Sequence, residues 1–143
     1  MKIMNFAVAV LLLASVTFAQ SIKVPKEVTA AFNKLYPTVK TVEWKKEGKS
    51  NFEAKFKENG MSTAVVFEPN GKVMETEKEV SFSVLPKSAG DYIAAHFKGY
   101  QKVKAVEITN SAGTVTYEAK VQKGKDKQEL LFDKSGKFLK KTA

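Results

Sequence analysis

The residues best placed to do chemistry are acids. Glu43 and Glu53 fall in neighbouring alternating stretches, and Glu107 and Glu118 repeat the arrangement later in the chain. Paired carboxylates perform general acid–base work when their surroundings drive their pKa values apart. Here Lys45, Lys55 and Lys120 share the expected face with those acids, so the pattern reads first as a solvated charge ladder, with a protein-docking surface as the alternative. Glu75, Glu77 and Glu79 alternate and must project from one face of a strand. A run of acids along one strand does not build the cage of six or more oxygens that Ca²⁺ takes, and the plainer reading is an edge strand guarded by charge.

The remaining reactive types narrow the field. Cysteine is absent, so there is no thiol chemistry and no disulfide. His96 is the one histidine; without a second His or any Cys, a zinc site lacks its usual ligands. No Ser–His pairing, glycine-rich phosphate loop or nucleophile elbow is evident. No catalytic residue, metal site or cofactor is assigned, and an enzyme is not expected.

Every basic residue is lysine, and the formal net charge is +9. The planar fork that grips phosphate and guanine belongs to arginine, so nucleic acid is not an expected partner. Residues 85–143 hold 12 lysines against 6 acids, and residues 20–84 hold 11 against 9. Lys123, Lys125, Lys127, Lys134, Lys137, Lys140 and Lys141 concentrate near the end of the chain, where they could attract an anionic envelope polymer.

The elements that position these residues follow from periodicity. Residues 1–19 read as an export signal: Lys2, an apolar run from Phe6 to Val16, and small residues before a cut between Ala19 and Gln20. The run is too short to span a bilayer, which takes about 20 residues. The expected address is periplasmic or secreted.

Pro25 opens a helix whose apolar face is Val28, Phe32 and Leu35, and Pro37 stops it at Tyr36. Val42 and Trp44 begin a strand, and Phe52, Ala54 and Phe56 alternate with charges as a half-buried antiparallel strand does. Asn59-Gly60 turns the chain into a third strand, Met61 to Glu68, and a fourth runs from Lys72 to about Val80. Val42, Trp44, Phe52, Ala54, Phe56, Val65 and Phe67 should lie under the helix. Glu43, Lys45, Glu53 and Lys55 should face solvent.

The plan then restarts. Leu85-Pro86-Lys87 repeats Val24-Pro25-Lys26 after 61 positions, and Ala89, Ile93 and Phe97 form a second helical face. Val106-Glu107-Ile108 aligns with Val42-Glu43-Trp44 at 64, and Tyr117-Glu118-Ala119 with Phe52-Glu53-Ala54 at 65. The hairpin Phe67-Glu68-Pro69-Asn70-Gly71-Lys72 returns as Phe132-Asp133-Lys134-Ser135-Gly136-Lys137, the glycines supplying a positive φ for a bulged three-residue loop. The expectation is an α+β tandem repeat, each half one α-helix packed on a four-stranded antiparallel meander: residues 20–84, then 85–143.

These motifs resemble the PepSY-like family of small exported bacterial proteins, from the Tyr36-Pro37 helix end through both Phe-acid-x-x-Gly-Lys hairpins. The resemblance implies a fold similar to the tandem-repeat β-lactamase inhibitor protein, periplasmic residence, and an inhibitory or protein-binding role. It implies no shared catalytic residues. The tips Pro69-Asn70 and Lys134-Ser135 depart from the more acidic tip common in the family, which argues against calcium there.

Expected, then, is a non-enzymatic exported module binding an unknown protein partner through Glu43, Lys45, Glu53, Lys55, Glu107, Glu118 and Lys120. The alternative is a binder of a small ligand or anionic envelope polymer through the basic second half.

Overall fold

The computed structural model describes residues 22–142, so the expected signal segment and its cut lie outside the described residues. Helix α1 spans Lys26–Leu35 and is followed by strands β1 Glu43–Glu47, β2 Asn51–Glu58, β3 Met61–Phe67 and β4 Val73–Val80. A single 3₁₀ turn, Phe82–Val84, leads to helix α2, Lys87–His96. Strands β5 Gln101–Asn110, β6 Val115–Lys123, β7 Asp126–Asp133 and β8 Phe138–Thr142 complete the described residues. All eight strands form one antiparallel sheet in chain order.

Both helices lie on the same side of this sheet, over separate cores. Val28 and Phe32 of α1 pack on Phe52, Ala54, Phe56, Val65 and Phe67, with Val42 and Trp44 half-buried against them. The Phe32 ring meets Trp44 and Phe56 edge-on, each at 5.3 Å between centroids. Ala89 and Ile93 of α2 pack on Ala105, Ala119, Val121, Leu130 and Phe132. The expected covered residues of the first half are all in place. So is the expected open face, where Glu43 stands opposite Lys55 and Lys45 opposite Glu53.

Each closing hairpin is clamped against the first turn of its helix. Gly71 and Gly136 have φ of 87° and 84°, and the register of β3–β4 and of β7–β8 shifts by a residue beside them, as a bulge does. A Cβ on Gly71 would stand 2.6 Å from the Glu27 carbonyl oxygen. One on Gly136 would run into Ser88 and stand 2.8 Å from the Ala89 nitrogen. Asp133 Oδ1 accepts from the backbone N–H groups of Ser135 (2.8 Å) and Lys137 (3.0 Å). The tips are therefore occupied with structural bonding.

Two expectations are corrected. Strand β4 is not an edge, because it pairs with β3 on one side and β5 on the other. The edges are β1 and β8, which carry Lys45, Lys46, Lys140 and Lys141, so β4's acids sit mid-sheet. The second correction concerns Glu107. Ala54 pairs with Trp44, and Ala119 pairs with Ala105, so Ala105, not Ile108, occupies the Trp44 place. The 61-residue offset of the helices persists into β5 and becomes 65 only in the β5–β6 hairpin, whose arms continue further before turning. Glu107 consequently points to the helix side, where the Tyr117 hydroxyl donates to its Oε2 at 3.2 Å. Val106 and Ile108 turn to the open face.

Candidate functional site

The helix-free face of the sheet holds a groove of about 850 Å³. Strand alternation dictates which side chains reach it. From β2 comes Lys55; from β3, Ala64; from β4, Glu77 and Glu79; from β5, Lys104, Val106 and Ile108; from β6, Glu118 and Lys120. Glu43 and the segment Thr38–Thr41 wall the β1 end.

Six of the seven residues expected to face a partner lie on this side: Glu43, Lys45, Glu53, Lys55, Glu118 and Lys120. They form three Glu-x-Lys couples, each made by side chains two positions apart on one strand. The N–O distances are 3.1 Å for Lys45–Glu43, 3.3 Å for Lys55–Glu53 and 3.5 Å for Lys120–Glu118. Lys120 also donates across to Glu129 Oε1 on β7 at 2.8 Å. Glu107 is the residue this face does not contain.

The charge ladder is only the frame. Glu75, Glu77 and Glu79 stand at its middle, facing Asn110, Ile108 and Val106 across β5. Glu79 lies 3.7 Å from Lys104. Among the described residues, neither Glu75 nor Glu77 has a lysine within ion-pair distance. Burial raises the Glu77 carboxyl above its ordinary pKa; Glu75 and Glu53 add to the rise, while Lys55 and Lys104 oppose it. Burial raises Glu75 in the same direction, a hydrogen bond with Glu77 opposes the rise, and the charges of Glu47 and Glu118 reinforce it. Glu118, 6 % exposed, is raised first by burial and then by Glu129 and Glu77, against the pull of Lys120. The Lys120 ammonium, although burial acts to lower its pKa, is raised on balance by Glu129 and Glu118.

Apolar side chains sit among these charges. Val106 is 6 % and Ala64 8 % exposed, although both belong to the uncovered face; the long glutamate and lysine side chains around them exclude water. Sequence reasoning missed Val106, Ile108 and Ala64. The signal was the 61-residue offset of the helix starts, which, carried through β5, turns Val106 outward.

The groove holds carboxylates, ammonium groups and aliphatic surface. No histidine lines it. His96 lies on α2 with its ring 4.3 Å from that of Tyr92. Among the described residues, no three His, Asp or Glu side chains converge closely enough to hold a metal ion.

The family model described as "Putative beta-lactamase-inhibitor-like, PepSY-like" matches residues 50–140. Among solved structures, the fold is similar to that of a Bacteroides eggerthii protein described as one of the "putative periplasmic proteins". That match has a TM-score of 0.77 at 23 % identity, covering 83 % of this chain and 88 % of the other. A DUF2874 family protein of Bacteroides uniformis matches with a TM-score of 0.73 at 22 % identity, covering 82 % and 87 %. A BLIP-like protein of Bacteroides fragilis matches with a TM-score of 0.68 at 21 % identity, covering 85 % and 87 %. No match was found among curated proteins.

Proposed function

We propose, on the premise that this chain belongs to the PepSY-like, beta-lactamase-inhibitor-like family, that it is a non-enzymatic exported module. It binds a protein partner, in the manner of an inhibitor, through the open face of its sheet. The observation that carries this reading is the groove: a broad sheet face with no covering helix, in which the half-buried Ile108 lies among carboxylates and ammonium groups. An apolar centre within a polar rim is the composition of protein interfaces. The family description and the BLIP-like neighbour support an inhibitor-like role, and the periplasmic description of the Bacteroides eggerthii protein supports an envelope address. No described helix is long and apolar enough to cross a membrane. The element order α–β–β–β–β occurs twice, which supports descent of residues 20–84 and 85–143 from one duplicated unit.

The test is differential retention. Purified chain and an Ile108→Arg variant, which fills the groove without touching either core, are immobilised and exposed to envelope proteins. The reading requires a protein held by the first and released by the second. Equal retention by both contradicts it. Repeating the wash at high salt separates the envelope-polymer alternative, since capture of a polyanion by the terminal lysines weakens steeply as ions screen it.

A further inference from the structure

We infer a second contact surface, away from the groove. The end of the second half, where α2 runs into β5 and β6 turns into β7, rests on an anionic phospholipid surface, its lysines meeting the headgroup phosphates. This contact is independent of the groove.

Strand register gathers the charges. Lys102 pairs with Val121 across β5–β6, and Lys123 and Gln122 pair with Asp126 and Lys127 across β6–β7. The segment after α2 folds against this hairpin: the Tyr100 hydroxyl donates to Asp126, and a Cβ on Gly99 would stand 3.6 Å from Lys123 Nζ. From β8, the Lys141 charge acts on Asp126. Lys98, Lys102, Lys123, Lys125, Lys127 and Lys141 thus share one end, all of them exposed. None forms an ion pair among the described residues, and the acid in their midst is Asp126. One row further into the sheet, Lys104 and Lys120 are matched by Glu79, Glu118 and Glu129. With that row included, the end still holds eight lysines against four acids.

The fold does not require this concentration. The matching end of the first half, residues 36–42 with the hairpin residues 57–60, has Lys40 and Lys57 against Glu58. Like charges crowded together repel and work against the compact state. The second half carries that burden and the first does not, and an anionic surface relieves it.

An apolar side chain stands in the same place. The register of β5 shifts between Lys102 and Lys104, and this bulge turns out Val103, which at 57 % is the most exposed large apolar side chain among the described residues. Beneath it the Lys102 ammonium lies 5.5 Å from the centre of the Phe82 ring.

Lysines around an exposed aliphatic group match the boundary layer of a bilayer. The valine enters among the headgroups while the ammonium groups meet phosphate and their stems lie along the interface. A soluble polyanion would use the charges and leave Val103 in water. Lysine, unlike arginine's fixed fork, imposes no particular phosphate geometry, which suits a fluid array of headgroups. None of the six lysines lines the groove, so both surfaces can be occupied together.

The test is co-sedimentation of residues 20–143, the form expected after export, which holds every described helix and strand. The probes are vesicles of phosphatidylglycerol and phosphatidylcholine in equal parts, vesicles of phosphatidylcholine alone, and soluble polyphosphate. Each variant is first shown to be folded by circular dichroism. The inference expects binding to the anionic vesicles and none to the neutral ones. Combining Lys123→Gln, Lys125→Gln and Lys127→Gln should weaken that binding roughly hundredfold, at about fivefold per lysine beside an anionic leaflet, and Val103→Ser should weaken it further. Combining Lys49→Gln, Lys72→Gln and Lys134→Gln, in the turns at the opposite end of the strands, removes the same charge and should matter far less. No binding to anionic vesicles at low salt, or equal losses from the two triple variants, would overturn the inference. Polyphosphate bound as tightly as the vesicles, with Val103→Ser without effect on either, would overturn it in favour of a soluble polyanion. The groove reading survives each of these failures.

Discussion

Glu107 and Glu118 belong to adjacent strands but serve opposite sides of the sheet: Glu107 pairs with Tyr117 above the helices' face, and Glu118 pairs with Val106 on the floor of the groove. If the open face is the docking face proposed above, the difference separates a structural acid from a binding one. Glu107→Gln should leave partner binding unchanged, and Glu118→Gln should weaken it. Tyr117→Phe, which deletes the hydroxyl that donates to Glu107, should cost about 0.5–1.5 kcal/mol of stability with no effect on binding. Denaturant melts alongside binding measurements check both.

The half-buried glutamates on the open face of the sheet give stability an unusual pH dependence. Glu75, Glu77 and Glu118 have pKa values raised from 4.5, so the folded chain holds their protons more tightly than the unfolded chain does. Their contribution favours the fold below that unfolded value and is lost as pH climbs through the raised one. Glu77→Gln should accordingly stabilise the protein at neutral pH by on the order of 1 kcal/mol, and the advantage should vanish below about pH 4. Asp133 works the other way. Its pKa is lowered by hydrogen bonds from Ser135 and from the Lys137 backbone, so its contribution is present above 3.8 and fades as pH falls through the lowered value. Thermal melts of both chains across this range read the difference directly.

The clamped hairpins make Gly71 and Gly136 intolerant of any side chain. Alanine at either position meets both a positive φ and a collision with the first helical turn. Each substitution should cost more than about 1 kcal/mol. Gly136→Ala should also disturb the Ser88 hydroxyl that donates to the Ser135 carbonyl at 2.5 Å, visible as shifted amide resonances in α2.

The cores under α1 and α2 share no residue. Leu130→Ala should cost about 2–5 kcal/mol. Combined with Val65→Ala from the other core, the two losses should add to within about 0.3–0.5 kcal/mol. A larger coupling energy in a double-mutant cycle would show that the halves are packed as one.

Much of this architecture was legible in the chain. Strict alternation around Phe52, Ala54 and Phe56 assigns faces, because a one-residue slip would expose all three rings or methyls at once. The Phe-acid-x-x-Gly-Lys motif locates both bulged hairpins, because only glycine accepts that turn without strain. What escaped was long-range. No local pattern tells an edge strand from a central one, so Glu75, Glu77 and Glu79 read as edge protection although β5 pairs beside them. Nor does similarity of three residues fix a register: Val106-Glu107-Ile108 looks like Val42-Glu43-Trp44, yet the longer β5–β6 hairpin reverses its faces. That reversal hid the apolar floor of the groove and misplaced Glu107.

Carboxyl footprinting of the chain, alone and saturated with the envelope protein it retains, tests the docking face most directly, because acids lie on both sides of the sheet. Docking in the groove predicts that Glu43, Glu77 and Glu79 become protected while Asp91 of α2 and Glu107 label as before. Protection of Asp91 and Glu107, with Glu77 and Glu79 unchanged, would place the partner on the helices and contradict the account.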